Sequence, residues 1–403
     1  MTHLKSVDEL PLIPAIPDED QSVYDLCRQA RDQAPLARTP FGVILALRNR
    51  QIELITSAAT RQLELETRLI QGITDGPIYE FTRLAMLFAN GQTHMRRRMP
   101  IARSFAFKLM DAMRPRIREI STRLIQAHLG AGPIDFVNQI ATQMPARIIA
   151  EIIGIPDENV PVFLNWIKDT ASALGMIDLE DRAQIEQSLK DFYAYVETLL
   201  ADRRAHPRDD FLTRYVQDTA AAGQLTEGEI HTQILGLILA GSDTTRGSMC
   251  MILSELLQHP DQWQEFVAAP DRLKRAVVEE GLRYQPVISV IPRVALQDMH
   301  IDGYHIPQGT VIAVSLISAL RDPVIFKQPD RFNIHRDDQQ RWHYVFGAGA
   351  HRCVGEALAR AEMEELLASI ARLAPATRLV GPPPQLGEGA IRPVGAMQVA
   401  FDA

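Results

Sequence analysis

The stretch YVFGAGAHRCVGEALARAEMEELL, Tyr344 to Leu367, holds one of only three cysteines in 403 residues. Cys353 lies in a glycine-rich turn beside His351 and Arg352, and a helical pattern begins at Glu356, directly behind it. A sulfur placed there meets unpaired backbone N–H groups and the positive end of a helix, which favour thiolate over thiol. Gly347, Gly349 and Gly355 permit backbone conformations and close approach that side chains forbid. Phe346 can shield the sulfur from water, and His351 and Arg352 add donors. The turn suits an anionic sulfur held beside a large planar group.

Two rival readings are weaker. A phosphate-cradling cysteine loop needs one residue fewer than the six that separate Cys353 from Arg360. A structural cysteine, the usual case for a single Cys, leaves the glycines and Phe346 unexplained.

Outward from this turn, most of the chain shows apolar residues at helical spacing. The clearest runs are Phe105–Leu129, Asp191–Arg204, Thr226–Gln258, Arg272–Tyr284 and Glu356–Leu373. Strand-like pieces are few: Phe41–Leu47, a segment with an Asp302-Gly303 hairpin turn, and AMQVAF at the end. The proline-rich GPPPQLGEG, Gly381 to Gly389, reads as a turn, and neither a repeat nor a long linker divides the chain. The expectation is a mainly α fold with small β-sheets at its edge. It forms one domain over residues 1–403, with 1–20 as a loosely ordered arm.

Composition agrees with a soluble globular protein: 46% hydrophobic, 23% charged, net charge -8. Mild acidity argues against a nucleic-acid binder. Three widely spaced cysteines without a CxxC pair argue against disulfides or zinc and for a reducing cytoplasm. A signal peptide and a transmembrane run are not expected.

The run from Thr226 to Gln258 opens with a T-x-x-E capping box, Thr226 to Glu229, and predicts a helix of roughly 48 Å. Its centre, ILGLILAGSDTTRG, changes abruptly from apolar to Gly241, Ser242, Asp243, Thr244 and Thr245. These are poor helix formers, and a threonine hydroxyl here can capture the carbonyl of Ala240 and open a bulge. One reading is a kinked core helix. The other is a groove for a small ligand, with Asp243 and Thr244 passing protons. Glu280 and Arg283, at i, i+3, taken alone read as a surface pair.

Together these residues resemble the cytochrome P-450 superfamily. FGAGAHRCVG fits its haem loop at Phe346, Gly347, Gly349, His351, Cys353 and Gly355. AGSDTT fits its oxygen-activation motif, and Glu280-x-x-Arg283 its E-x-x-R. The resemblance implies a triangular helical domain with haem b between the long central helix and the cysteine-loop helix. It implies Cys353 as iron ligand, whose thiolate favours O–O cleavage. His94, Arg98, Arg293 and His351 are then propionate contacts, Ala240 lies against the haem, and Arg331 completes an ionic cluster with Glu280 and Arg283.

The same resemblance places Gly236, Leu239, Ala240, Ser289, Val290 and the turn at Met397 on a mostly apolar substrate pocket. Arg68 or Arg83 is a candidate for carboxylate recognition, and residues 161–204 are expected to form a mobile lid. The implied activity is dioxygen-dependent hydroxylation or other oxidation of a hydrophobic small molecule by a cytoplasmic monomer. Electrons come from NAD(P)H through a ferredoxin and its reductase, docked by Arg96, Arg97, Arg103, Arg352 and Arg360. Alternatives on the same fold are a tailoring oxidase for ring formation, coupling or peroxide-driven oxidation, and a non-catalytic haem sensor.

Overall fold

The computed structural model describes residues 5–14, 21–105, 110–340 and 343–402. Its longer helices are α1 (Val23–Gln33), α2 (Gly76–Leu84), α3 (Gly91–Ser104), α4 (Arg114–Gln126), α5 (Gln143–Ile153) and α6 (Val160–Thr170). They continue with α7 (Arg182–Ala205), α8 (Phe211–Ala222), α9 (Glu227–Gln258), α10 (Pro260–Ala268), α11 (Pro270–Tyr284) and α12 (Glu356–Leu373). Strands are short: β1 (Leu36–Arg38), β2 (Ile44–Ala46), β3 (Thr60–Arg61), β4 (Pro133–Asp135) and β5 (Val290–Ala295). The remainder are β6 (Met299–Ile301), β7 (Tyr304–Ile306), β8 (Val311–Ser315), β9 (Arg378–Leu379) and β10 (Gln398–Ala400). The fold is mainly α, as expected.

Local chemistry explains the boundaries. Thr226 caps α9 as a full capping box: its hydroxyl accepts from Glu229 N, and Thr226 N donates to Glu229 Oε2 at 3.0 Å. Helix α12 covers the expected span. The expected helix over Phe105–Leu129 is shorter, because Pro115 stands in the first turn of α4, where a missing N–H costs nothing. Residues 106–109 of that expectation lie outside the described residues. The Asp302-Gly303 turn joins β6 to β7 with φ of 51° and 87°, the positive pair a two-residue hairpin favours.

By internal contacts the chain forms two compact units. One comprises residues 1–63, 279–353 and 388–392. Its sheet runs β1-β2-β8-β5-β3, with β2 and β8 parallel (Ile44 opposite Ile312) and the other pairs antiparallel. Leu36, Ile44, Ile306, Ile312 and Val314 form the core on that sheet. Residues 5–14 are not a loose arm. Leu10 and Ile13 are buried, Ile13 N donates to Arg38 O, and His305 N donates to Lys5 O. Apolar burial and strand-type pairing hold them down.

The other unit comprises residues 64–278, 354–387 and 393–403. Here α9 packs against α5, α7 and α12, α4 packs along α12, and α6 pairs with α7. A three-stranded sheet, β4-β10-β9, closes its edge.

Candidate active site

In the first unit the cysteine loop is built from two 3₁₀ turns, Tyr344–Phe346 and Gly349–His351. Gly347 sits at φ 71° and Gly349 at φ 61°, conformations that disfavour side chains. A Cβ on Gly349 would also come within 2.8 Å of Thr56 Cγ2. Gly355 is different. Its φ of -91° is open to any residue, so its backbone does not demand glycine. Cys353 N donates to Phe346 O at 2.7 Å, and Arg352 Nη1 donates to Gly347 O at 3.0 Å, which fastens the loop from both ends.

Cys353 is the one exposed thiol; Cys27 and Cys250 are buried. Burial pushes the thiol of Cys250 up to about 12 and raises that of Cys27, so neither is disposed to ionise. On β5, Arg293 is buried and, among the described residues, donates to neutral oxygens: Ile55 O, Gln62 Oε1 and Pro292 O. Burial pushes its pKa down to about 10.

The ionic cluster forms with one change of member. Arg283 donates through Nε and Nη2 to both oxygens of Glu280, each at 2.8 Å, and Nη1 reaches Leu320 O and Pro329 O. The second guanidinium comes from Arg336, whose Nε lies 2.9 Å from Glu280 Oε2. Arg331 is exposed, with its guanidinium on Gln328 at 3.5 Å. It contributes its carbonyl instead, accepting from Arg283 and Arg336. Pairs of charges at short spacing draw attention in a sequence; Arg336, in an irregular segment, has no such signal.

In the second unit α9 runs without a break through Gly241–Thr245, so the expected bulge is absent. Thr244 Oγ1 does donate to Ala240 O, at 3.0 Å, and Ser242 and Ser248 likewise donate to carbonyls four residues back. Satisfied this way, the hydroxyls bond along the helix instead of opening it. Ala240 and Gly241 are exposed in the middle of a largely buried helix. Asp243 is half-buried and paired with Arg246, a partner that the i, i+3 spacing in SDTTRG could have revealed.

Gly236 faces α2: a Cβ there would sit 4.0 Å from Phe81 Cε2, an ordinary contact. Two expected pocket residues belong to the core instead. Leu239 is 1% exposed and Met397 0%, so neither presents a surface to a cavity. Ser289, in the first unit, spends its hydroxyl on Gly389 O at 2.6 Å, while Val290 is half-buried.

His94 and Arg98 share a face of α3, as their spacing requires. His94 is buried, and burial, with Arg98 adding repulsion, pushes its pKa down to about 4, so it is a neutral donor at pH 7. Two of the arginines expected to dock a partner serve the fold. Glu229, at the start of α9, accepts from Arg96 Nη1 at 2.7 Å and from buried Arg97 Nε at 2.9 Å. Arg103 is exposed, whereas Arg360 pairs with Glu356 at 3.2 Å. Arg83 pairs with exposed Glu80.

Taken unit by unit, the donor chemistry suits an iron porphyrin. One thiol of three is exposed at a rigid loop ahead of a helix, and an exposed Ala-Gly step offers flat contact. Arg293 and His94 are buried donors suited to carboxylates.

Comparison with known proteins agrees. The family Cytochrome P450 matches residues 53–268 and 272–373. A plant-inducible cytochrome P450, P450-pinF1 of Rhizobium radiobacter, is 37% identical over 95% of this chain and 92% of its own length. The luteothin monooxygenase of Streptomyces thioluteus is 30% identical over 89% of this chain and 86% of its own. Among solved structures, cytochrome P450 CYP109Q5 from Chondromyces apiculatus superposes with a TM-score of 0.86 at 26% identity, covering 97% of this chain and 98% of that one.

Proposed function

The chain belongs to the cytochrome P450 family and is a monooxygenase of it; from that premise we propose that it oxidises a mostly hydrophobic small organic molecule at a Cys353-ligated haem. Family membership carries the use of haem and dioxygen. We assign the electrons to a ferredoxin and reductase drawing on NAD(P)H, and the working form to a cytoplasmic monomer acting as one haem domain. Among the described residues no helix is long and apolar enough to cross a membrane. Relatives carry names of a hydroxylase and a hydroxylase/epoxidase, which supports hydroxylation or epoxidation as the reaction.

The observation that carries this reading is the cysteine loop. A single exposed thiol stands where two positive-φ glycines and two backbone-directed bonds hold it, three residues before α12 begins. Such a sulfur at a helix start favours the thiolate, the form that binds a metal. Arg293, His94, Arg98 and His351 would hold the propionates, and Ala240 would lie against the ring. Haem, when bound, supplies dioxygen reduction and oxygen transfer.

The chain's own contribution is positioning and proton supply. Because Thr244 Oγ1 donates its proton to Ala240 O, its lone pairs are left to accept another. Asp243, paired with Arg246, would relay to it a proton taken from solvent once the guanidinium swings aside. Gly236 leaves space beside Phe81 that alanine would begin to fill. Residues 161–204 would act as the lid. Arg103, Arg352 and Arg360 remain the candidates for electron-donor docking.

A carbon monoxide difference spectrum of reduced protein tests the ligand. The parent should show the thiolate-shifted Soret band and Cys353→Ser should lose it; a parent spectrum typical of nitrogen ligation would refute the assignment. Turnover with dioxygen and donor, compared with peroxide, separates the monooxygenase from a peroxide-driven tailoring oxidase. The Asp243–Thr244 pair favours dioxygen.

A further inference from the structure

The connection between α6 and α7, residues 171–181, opens with the turn Ala171–Leu174. Ala173, Leu174 and Ile177 are buried, so an apolar inner face favours a docked loop. The short helix Glu66–Ile70, ahead of α2, ties that loop down. Its Arg68 is 0% exposed and donates from Nη1 to Gly175 O at 2.6 Å, from Nη2 to Ala173 O, and from Nε to Thr82 Oγ1 at 2.8 Å. Just past the helix, Gln71 donates from Nε2 to Ile177 O at 2.7 Å and accepts from Ile177 N at 3.3 Å.

These fastenings are of a kind that releases. They run from side chains to single backbone groups rather than along a strand ladder, and water replaces such bonds at modest net cost. Arg68 meets neutral oxygens in them, and burial pushes its pKa down to about 10. A charge that is bonded but not neutralised recovers hydration when it is exposed. The docked loop is therefore held by few groups, one of them under a standing desolvation cost.

The outer face of the same seam is apolar. Leu69 and Ile70, between the two fastening side chains, and Met176 and Leu179 on the loop are each more than half exposed. Exposed apolar clusters of this kind mark places where apolar ligands or partners make contact. On the inner side the turn Ala171–Leu174 packs against both α2 and α9, and α2 sets the Phe81 ring 4.0 Å from the Cβ position of Gly236 on α9. A path opened at this seam leads from an apolar patch toward the helix that carries Asp243 and Thr244.

We propose that Arg68 and Gln71 form a latch that gates substrate entry. Both release together, the loop 171–177 lifts, and a hydrophobic substrate passes between it and the helix Glu66–Ile70. Arg68 is a positioning residue in this device and does not itself bind substrate. The proposal rests on the monooxygenase reading and gives its lid a defined fastening.

The first test mixes haem-loaded protein in stopped flow with 1-dodecylimidazole, whose nitrogen ligates ferric iron and shifts the Soret band. In the parent the observed rate should level off with concentration, at the rate of opening. Gln71→Ala, which removes both bonds to Ile177, should raise that plateau about tenfold. Imidazole itself, small enough to pass the closed loop, should bind parent and variant at equal rates. The second test reads hydrogen exchange at the Ile177 amide, whose acceptor on Gln71 is untouched by Arg68→Gln. Exchange should quicken about tenfold in that variant, because the latch opens as a unit. A parent rate that climbs without a plateau, a plateau unchanged in Gln71→Ala, or an equal acceleration of imidazole overturns the proposal. So does Ile177 exchange indifferent to Arg68→Gln; should that variant fail to fold, the Gln71→Ala kinetics decide. A parent lacking the thiolate-shifted carbon monoxide band rejects the monooxygenase reading, and the exchange comparison still decides the latch.

Discussion

Three cysteines with identical side chains meet different fates in this chain, and neighbours decide which. Cys27 and Cys250 sit where burial raises their thiols, whereas Cys353 is exposed on a loop shaped by Gly347 and Gly349. The same logic separates Thr244 from an ordinary core threonine. Its hydroxyl rests on Ala240 O inside a continuous helix, so removing it should cost the fold little and the chemistry much. Thr244→Ala should therefore retain the thiolate spectrum while product formed per electron pair consumed falls about tenfold or more, given typical proton-transfer contributions. Unchanged coupling, read as product against NAD(P)H oxidised, would remove Thr244 from the proton path.

Buried ionic knots join elements, two of them through glutamates of α11 and α9. In one, Glu280 of α11 accepts from Arg283, Arg336, Asn333 N and Gln339, tying an irregular segment to a helix. Arg336→Ala leaves Glu280 paired with Arg283 but removes the charged bonds to Glu280, Lys327 O and Arg331 O, so it should destabilise by about 2 kcal/mol. Exposed Arg331 predicts the contrast: Arg331→Ala should stay within about 0.5 kcal/mol in the same denaturant titration. In the other knot, Glu229 joins α9 to Arg96 and Arg97 of α3. Burial acts to raise its pKa, but the Arg96 bonds, the Thr226 N–H and Arg97 outweigh it and hold the carboxyl at about 2, below the ordinary 4.5. A depressed folded pKa means the stabilisation is full above pH 4.5 and is lost as pH falls toward 2. Over that window the loss is about 3 kcal/mol at 1.36 kcal/mol per unit, and it should be absent in Glu229→Gln. Equal acid sensitivity in parent and variant, by thermal melts between those limits, would show that Glu229 does not carry it.

At the scale of the whole molecule, the chain divides into two compact units. Cys353 and Arg293 lie in one; His94, Asp243 and Thr244 lie in the other. A ligand that binds the folded chain and not the unfolded one stabilises it by mass action, about 2.7 kcal/mol at a hundredfold excess over Kd. Stripping haem should lower the Tm by several degrees, and reconstitution should restore it. A melt indifferent to haem would contradict the proposed site. Net charge of -8 makes any contact with an acidic electron donor depend on local basic residues. Since Arg97 is buried and Arg96 is tied to Glu229, we propose that role for Arg103, Arg352 and Arg360 instead.

Short-range chemistry was open to reading in the chain itself. The Thr226 capping box, the Asp302-Gly303 turn, the start of α12 and the register of Phe346, Gly347, Gly349, His351 and Cys353 depend on residues a few positions apart. So does the Thr244 bond to Ala240. Burial and partnership across long separations were decided by tertiary structure alone. Arg336 in place of Arg331, Arg97 turned inward onto Glu229, Leu239 and Met397 in the core, and the burial of Arg68 on backbone carbonyls are all of this kind. The cost of burying a charge is set by every group around it, and those neighbours lie far along the chain; periodicity and spacing record only the near ones.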